Sequence, residues 1–329
     1  METEQYRLNN SEILFIYEAR LCNPNGDPDD ENRPRIDRKT GRNLVSDVRL
    51  KRFFRNYIIA KFGEEYVWVS TVEGRHVRAD ERLQKISKDM SPEDVLKACI
   101  DARLFGATIP IGKETKMAKE TRGKSYAYTG PVQFTWGYSL HPVEVVDSST
   151  ITSIFMGRPE EEEAERYGTI GKDWRVYYSL IAFYGVISGR RAMLTKTRPT
   201  DIMILDNLLY RSLILDATTR SKIGHWPHLY LRVEYSHPDT LIGDLRKYIC
   251  VEFNKDKPIR DFSDVRLNFD QLMTMIDKYK SELAQAFVYE SKDFEKEYQF
   301  KKQISEIIGE DHVKPLPHEI KIDASLLRL

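Results

Sequence analysis

Cysteine is scarce in this chain: Cys22, Cys99 and Cys250 are the only three among 329 residues, far apart and without a CxxC pair. So few and so scattered, they exclude a disulfide framework or a zinc ribbon and predict a reducing compartment. Long apolar runs are missing too, and none approaches the length needed to span a bilayer. The first residues, METEQYRLNNSE, lack the basic-then-apolar order of a signal peptide. The expectation is a soluble, cytoplasmic protein with no membrane partner. No P-loop, GxGxxG, HExxH or GxSxG occurs, which removes support for nucleotide hydrolysis, dinucleotide binding and the common hydrolase motifs. Net charge is also absent, because 51 basic residues cancel 51 acidic ones. Any attraction for a polyanion must therefore come from a local patch.

Such a patch is present. From Arg33 to Lys61 there are ten Lys or Arg against two acids, Asp37 and Asp47. Ser46 is a good N-cap and Gly63 a good C-terminal stop, so residues 47–62 are predicted helical. Leu50, Phe53, Phe54, Tyr57 and Ile58 form the apolar stripe, and Arg49, Lys51, Arg52 and Arg55 are expected on the opposite, solvent-facing side. Like charges one turn apart repel, by about 0.2–0.5 kcal/mol per pair in an isolated helix. Two readings of this face are open. Phosphates of a nucleic acid neutralise it, or acids elsewhere in the chain do, such as the run EEEEAE at 160–165. Further basic stretches favour the first. Residues 113–124 carry five cations, Arg122 and Lys124 among them, and lead into Tyr126 and Tyr128. Arg190 and Arg191 open an acid-free stretch, and Arg220 and Lys222 precede a strand. Cationic loops beside aromatic residues suit single strands, whose phosphates bind cations while bases stack on rings.

The core elements read strand, helix, strand, strand, helix, strand. The strands are 12–21, 131–140, 176–188 and 229–235; the helices are 47–62 and 202–217. In PVQFTWGYSL, Val132, Phe134, Trp136, Tyr138 and Leu140 alternate onto one face, taken as the buried one. This order predicts an α+β fold, a ferredoxin-like (RRM-like) palm built on a split βαβ plan. The palm takes residues 1–62 and 131–238. Two connections are too long for it: a helical insertion at 63–130, with a helix from Ser91–Pro92 to about Gly106, and a long hairpin insertion at 141–175. Residues 239–329 read as a mainly helical C-terminal region.

Metal chemistry finds little support. Counted from Asp27, the EF-hand positions for glycine and the bidentate glutamate hold Asn32 and Arg38. His225, His228 and His237 lack a suitably spaced carboxylate or thiolate and read as incidental. No metal and no cofactor is expected.

Read whole, NPNGDP at 23–28 followed by RID-x-x-TG-x-x-LVSDVRLKR-x-x-RNY resembles the backbone subunit of type I CRISPR Cascade complexes. It is most similar to the type I-B branch, within the RAMP superfamily. RLFGATIP at 103–110 and TGPVQFTWGYSLHP at 129–142 add to the likeness, which covers roughly half the chain. The resemblance implies a non-catalytic protein of antiviral defence that polymerises along a CRISPR guide RNA and presents it to target DNA. Its partners would be the guide, the target by way of the guide, further copies of itself and other Cascade subunits. Lys51 and Arg55 fall on the family's phosphate-gripping helix cations, Arg35 on a loop cation, and Asn23 and Asn25 where the chain turns beside RNA. The insertion at 63–130 would be the fingers and that at 141–175 the thumb, with Ile154, Phe155 and Met156 as wedges against a displaced base. Two alternatives stand beside this. One is a metal-dependent ribonuclease of the related type III backbone kind, using Asp27, Asp29 and Asp30; the other is a generic single-stranded RNA-binding protein.

Overall fold

The strand β1 (Ser11–Cys22) divides its apolar residues between two cores. Ile13, Phe15 and Tyr17 enter one, Leu14 and Ile16 the other, so the strand is buried on both faces. The protein is described here from a computed structural model covering residues 7–110, 125–147, 150–152, 170–237, 239–317 and 321–329. After β1 the turn-rich loop closes a two-rung ladder of β2 (Gly26–Asp27) and β3 (Arg33–Pro34), then β4 (Arg42–Val45) leads into α1 (Asp47–Phe62). Ser46 caps α1 through its Oγ, and Gly63, at φ +119°, ends it, as the residue types predict.

Next come α2 (Ala79–Ile86), α3 (Pro92–Ala98) and α4 (Ile100–Phe105). They pack a small core of their own around Trp68, Leu83, Val95, Leu96 and Cys99. The single helix expected to run to Gly106 is two helices. Cys99, buried and extended at φ −110° and ψ 111°, breaks it. A hairpin of β5 (Gly106–Pro110) and β6 (Ser125–Thr129) follows.

The next strand is also broken, into β7 (Val132–Phe134) and β8 (Gly137–Pro142). Phe134 belongs to one core and Leu140 to the other, so the break at Thr135–Trp136 reverses the faces. Trp136, expected inward, is 47% exposed. Gly137 explains the close approach behind it: a Cβ there would lie 2.4 Å from the fully buried Phe183 ring.

Beyond it, β9 (Thr150–Thr152) pairs with β10 (Ile170–Lys172). Then follow β11 (Val176–Ile187), α5 (Gly189–Thr195), α6 (Pro199–Asp216) and β12 (His225–Tyr235). Residues 239–329 hold β13 (Cys250–Phe253), β14 (Val265–Asn268), α7 (Asp270–Lys278), β15 (Leu283–Glu290), α8 (Lys292–Tyr298), α9 (Phe300–Ile308) and β16 (Val313–Pro315). Besides its helices, this region therefore holds, among its described residues, four strands that the sequence reading did not find. β15 and β16 extend the central sheet, with β15 laid antiparallel along β12.

The sheet order is β16-β15-β12-β1-β11-β8-β4; all these pairs are antiparallel except β15–β16, and β7 pairs with β11. β1 thus lies between β11 and β12, the strands joined through α6, and α1 leaves the sheet from β4, which pairs with β8. Helices α1 and α6 cover one face, where Leu50, Phe53 and Phe54 meet Leu205, Leu208 and Leu209. The C-terminal region covers the other through Leu272, Ile276, Phe294 and Phe300. Glu12, wholly buried in β1, fastens that layer. It accepts hydrogen bonds from the Tyr184 and Tyr235 hydroxyls and from the backbone N–H of Ile242 (2.7 Å) and Gly243 (2.8 Å). Among the described residues no helix is long and apolar enough to cross a membrane.

Candidate nucleic-acid interface

Asn25 builds the corner from which α1 starts. Its Oδ1 accepts from the Ser46 N–H at 2.8 Å and the Ser46 hydroxyl at 2.9 Å, and its carbonyl accepts from the Arg35 N–H at 3.2 Å. Asn23, 6% exposed, donates from Nδ2 to the Asn32 carbonyl at 2.6 Å and leaves its buried Oδ1 without a hydrogen bond among the described residues. Both asparagines thus shape the loop. Arg35 pairs with Asp27 at 3.1 Å and lies 5.8 Å from the Trp136 ring centre.

The cations of α1 do not form the open face expected of them. Lys51 is 7% and Arg55 8% exposed. Lys51 Nζ donates to Asp47 Oδ2 and Gln133 Oε1, both at 3.1 Å. Burial pulls its ammonium below the usual lysine range, against the support of Asp47. Arg55 Nε donates to Asp101 at 2.7 Å, and Asp101, itself fully buried, also accepts from the N–H groups of Trp68 (2.6 Å) and Val69 (3.3 Å). Arg49 pairs with Asp216 at 2.9 Å and lies over the Phe53 ring at 4.0 Å. Arg52 is half-buried and donates to the Val69 carbonyl at 3.3 Å. The physical reason is that α1 is packed on both flanks. The 63–105 segment closes over Lys51 and Arg55, while α6 brings Asp216 to Arg49.

The acids that neutralise this helix are Asp47, Asp101 and Asp216; the 160–165 run lies outside the described residues. Pairing is incomplete, however. The Arg55 Nη atoms have no hydrogen-bond partner among the described residues, so the Nε–Asp101 bond fixes a guanidinium whose tip remains available. Lys51 and Arg55 also converge on one ring, Phe105, at 5.5 and 5.4 Å.

Lys222 is half-buried, with Nζ donating to the Asn23 carbonyl. Burial and then the nearby Arg49 charge lower its pKa to about 8. His225 beside it is buried against Phe53 and Tyr17, its Nδ1 2.6 Å from the Lys222 carbonyl, and burial pushes it down to about 3. His228 stacks on Phe262 at 4.0 Å and is 3.2 Å from Glu18. Arg220 is 63% exposed, 3.8 Å from Asp173. Arg190 and Arg191, on α5, are exposed, and their guanidinium groups have no partner among the described residues. Arg122, Lys124, Ile154, Phe155 and Met156 lie outside the described residues.

The structure therefore brings Asn23, Asn25, Arg35, Arg49, Lys51, Arg52, Arg55 and Lys222 to the α1 end of the sheet. Arg190 and Arg191 sit apart on α5. Sequence reasoning missed Asp101 and Asp216, although an acid inside CIDARLF is itself a sign of a buried pair. It also missed the outward turn of Trp136. Of the loop acids, Asp27 accepts from the Asp29 N–H at 3.2 Å besides holding Arg35, while Asp29 and Asp30 are exposed. No group of three His, Cys, Asp or Glu side chains among the described residues is placed to hold a metal ion.

Comparison with known proteins gives this arrangement a context. Residues 9–270 match the family described as CRISPR-associated protein Cas7. A protein of that description from Haloferax volcanii is 32% identical over 295 residues, covering 82% of this chain and 84% of its own length. A solved chain of a "CRISPR RNA-guided surveillance complex, pre-nicking" is similar in fold, with TM-score 0.50 and 11% identity over 97% of this chain and 98% of its own. A chain of a "CRISPR RNA-guided surveillance complex" has TM-score 0.47 and 12% identity over 97% and 96%.

Proposed function

The chain belongs to the CRISPR-associated protein Cas7 family, and from that premise we propose that it is a guide-RNA-binding backbone subunit of a type I Cascade complex, most like the type I-B branch. In this reading several copies line one guide RNA in the cytoplasm, grip its sugar–phosphate chain and hold its bases for pairing with target DNA. Sequence recognition is left to base pairing, and the protein reads the backbone. Family membership is the observation that carries the proposal. The β12-β1-β11-β8 order supports an RRM-like palm. Residues 63–130 then act as fingers, 141–175 as a thumb whose base is the β9–β10 pair, and 239–329 as a layer behind the palm. Other Cascade subunits would complete the assembly.

Phosphate contacts are assigned in two groups. Arg52, Arg190, Arg191 and Arg220 are at least partly open and lack a tight carboxylate partner among the described residues, so they meet phosphate directly. Arg35, Arg49, Lys51, Arg55 and Lys222 are held by Asp27, Asp216, Asp47, Asp101 and the Asn23 carbonyl, and reach RNA from fixed positions. Asn23 and Asn25 shape the loop beside it. Arg122 and Lys124 rest on the charge pattern of their loop, and the wedge Ile154, Phe155 and Met156 on the family resemblance. The subunit performs no chemistry in this reading, since the Asp27 carboxylate is engaged by Arg35 and its own turn.

The test is the salt dependence of single-stranded RNA binding. Arg190→Gln, Arg191→Gln and Arg220→Gln should each weaken retention equally for all sequences and lower the log–log salt slope by about 0.7. A loss confined to one RNA sequence, with the slope unchanged, would contradict backbone gripping.

A further inference from the structure

An exposed tryptophan stands at the corner where α1 begins. Val45 pairs with Gly137, so Ser46, the cap of α1, and Trp136 leave the sheet at the same place. Three observations show that the indole is presented rather than left over. The strand break turns it out of the alternation that buries Phe134 and Leu140. Gly137 lets the chain pass against Phe183, where a Cβ would stand 2.4 Å from the ring. Arg246 Nη1 donates to the Trp136 carbonyl at 2.8 Å and to that of Ala182 at 3.4 Å, fixing the backbone across two strands. Trp136 is 47% exposed, with the Arg35 guanidinium 5.8 Å from its ring centre. Two residues before the break, Gln133 holds Lys51.

We propose that Trp136 is a stacking platform for a nucleobase of the bound single strand, with Arg35 taking an adjoining phosphate. An open indole beside cations is the chemistry single strands use, since every base offers a π face and the contact tolerates any sequence. Trp226, 44% exposed, has no cation over its ring among the described residues and serves as the internal control. This inference rests on the RNA-binding reading above and adds a base contact to it.

The experiment compares wild type, Trp136→Leu, Trp136→Phe and Trp226→Leu on oligouridine and on the same ribose–phosphate chain without bases, with thermal melts confirming the fold. Loss of one stacked base predicts about a 5- to 150-fold weaker affinity of Trp136→Leu for oligouridine. Trp136→Phe should keep most of the affinity, Trp226→Leu should match wild type, and all four should bind the abasic chain alike. If wild type binds neither probe, the RNA-binding reading fails first. If wild type binds oligouridine and Trp136→Leu equals it, or loses the abasic chain as well, the stacking role is overturned. A Trp136→Leu protein that keeps its RNA affinity but changes its self-association would place the indole in a protein contact and overturn the role equally.

Discussion

The Arg55–Asp101 pair makes a prediction that separates structure from RNA contact. The two side chains are 10% and 1% exposed, joined at 2.7 Å, and Asp101 also holds the Trp68 and Val69 amides. Removing one partner of such a pair leaves an uncompensated buried charge, at a cost of about 3–5 kcal/mol. Asp101→Asn keeps an acceptor for Trp68 and should fall near the low end; Asp101→Ala also strands the amides and should fall near the high end. With about 2.1 cal/mol/K of unfolding entropy per residue, a chain of 329 residues melting as one unit loses about 4 °C in the first case and about 7 °C in the second. Adding Arg55→Met to Asp101→Asn removes the stranded charge and should restore at least half of the loss, because a buried pair exchanged for apolar groups is often neutral. The assay is a thermal melt followed by calorimetry, with RNA retention measured on the same samples. The double variant should be more stable than Asp101→Asn yet bind RNA more weakly than wild type, since the Arg55 tip is gone. An Asp101→Asn protein melting within about 1 °C of wild type, or a double variant no better than the single, would refute the reasoning.

Other perturbations follow from the same contacts. Lys222 keeps its proton up to an ordinary 10.5 when unfolded but only to about 8 when folded, so its penalty is full below pH 8 and is relieved as pH rises toward 10.5. Lys222→Met should stabilise the RNA-free chain at neutral pH, flatten that rise in pH-dependent melts and weaken RNA binding; an unchanged profile would count against its charged burial. Glu12→Ala strands two hydroxyls and two amides, each costing about 1–3 kcal/mol, so limited proteolysis should open the 236–247 segment; an unchanged cleavage pattern would remove Glu12 as the fastener. Gly137→Ala would bring a Cβ to 2.4 Å from the Phe183 ring, which is fully buried. The variant should express mainly as aggregate or melt several degrees lower, and a wild-type melt would show that the strands part there at little cost.

Much of the central sheet and its helices was legible in the residues, because their signals are local. Ser46 and Gly63 delimit α1, the apolar run of β1 marks a buried strand, and the alternation in 229–235 marks a further strand. What failed depends on partners distant in sequence. β15, LAQAFVYE, carries too little alternation to announce itself; it is a strand because the exposed edge of β12 accepts it. The close passage at Gly137 involves Phe183, 46 positions away, and the neutralisation of α1 comes from Asp101 and Asp216, which only the packing of 63–105 and α6 brings near. The cation cluster was visible in composition, but its direction was not. Lys51 and Arg55 sit on the flank of the apolar stripe, and flanks are assigned by neighbouring elements rather than by the helix itself.

Native mass spectrometry of the protein purified from cells carrying a CRISPR array bears most directly on the role assigned to it. The account predicts one RNA strand, removed by ribonuclease and not by deoxyribonuclease, with a fixed whole number of protein copies upon it. A protein free of nucleic acid, or one spread over RNAs with no defined copy number, would contradict a guide-bound backbone subunit.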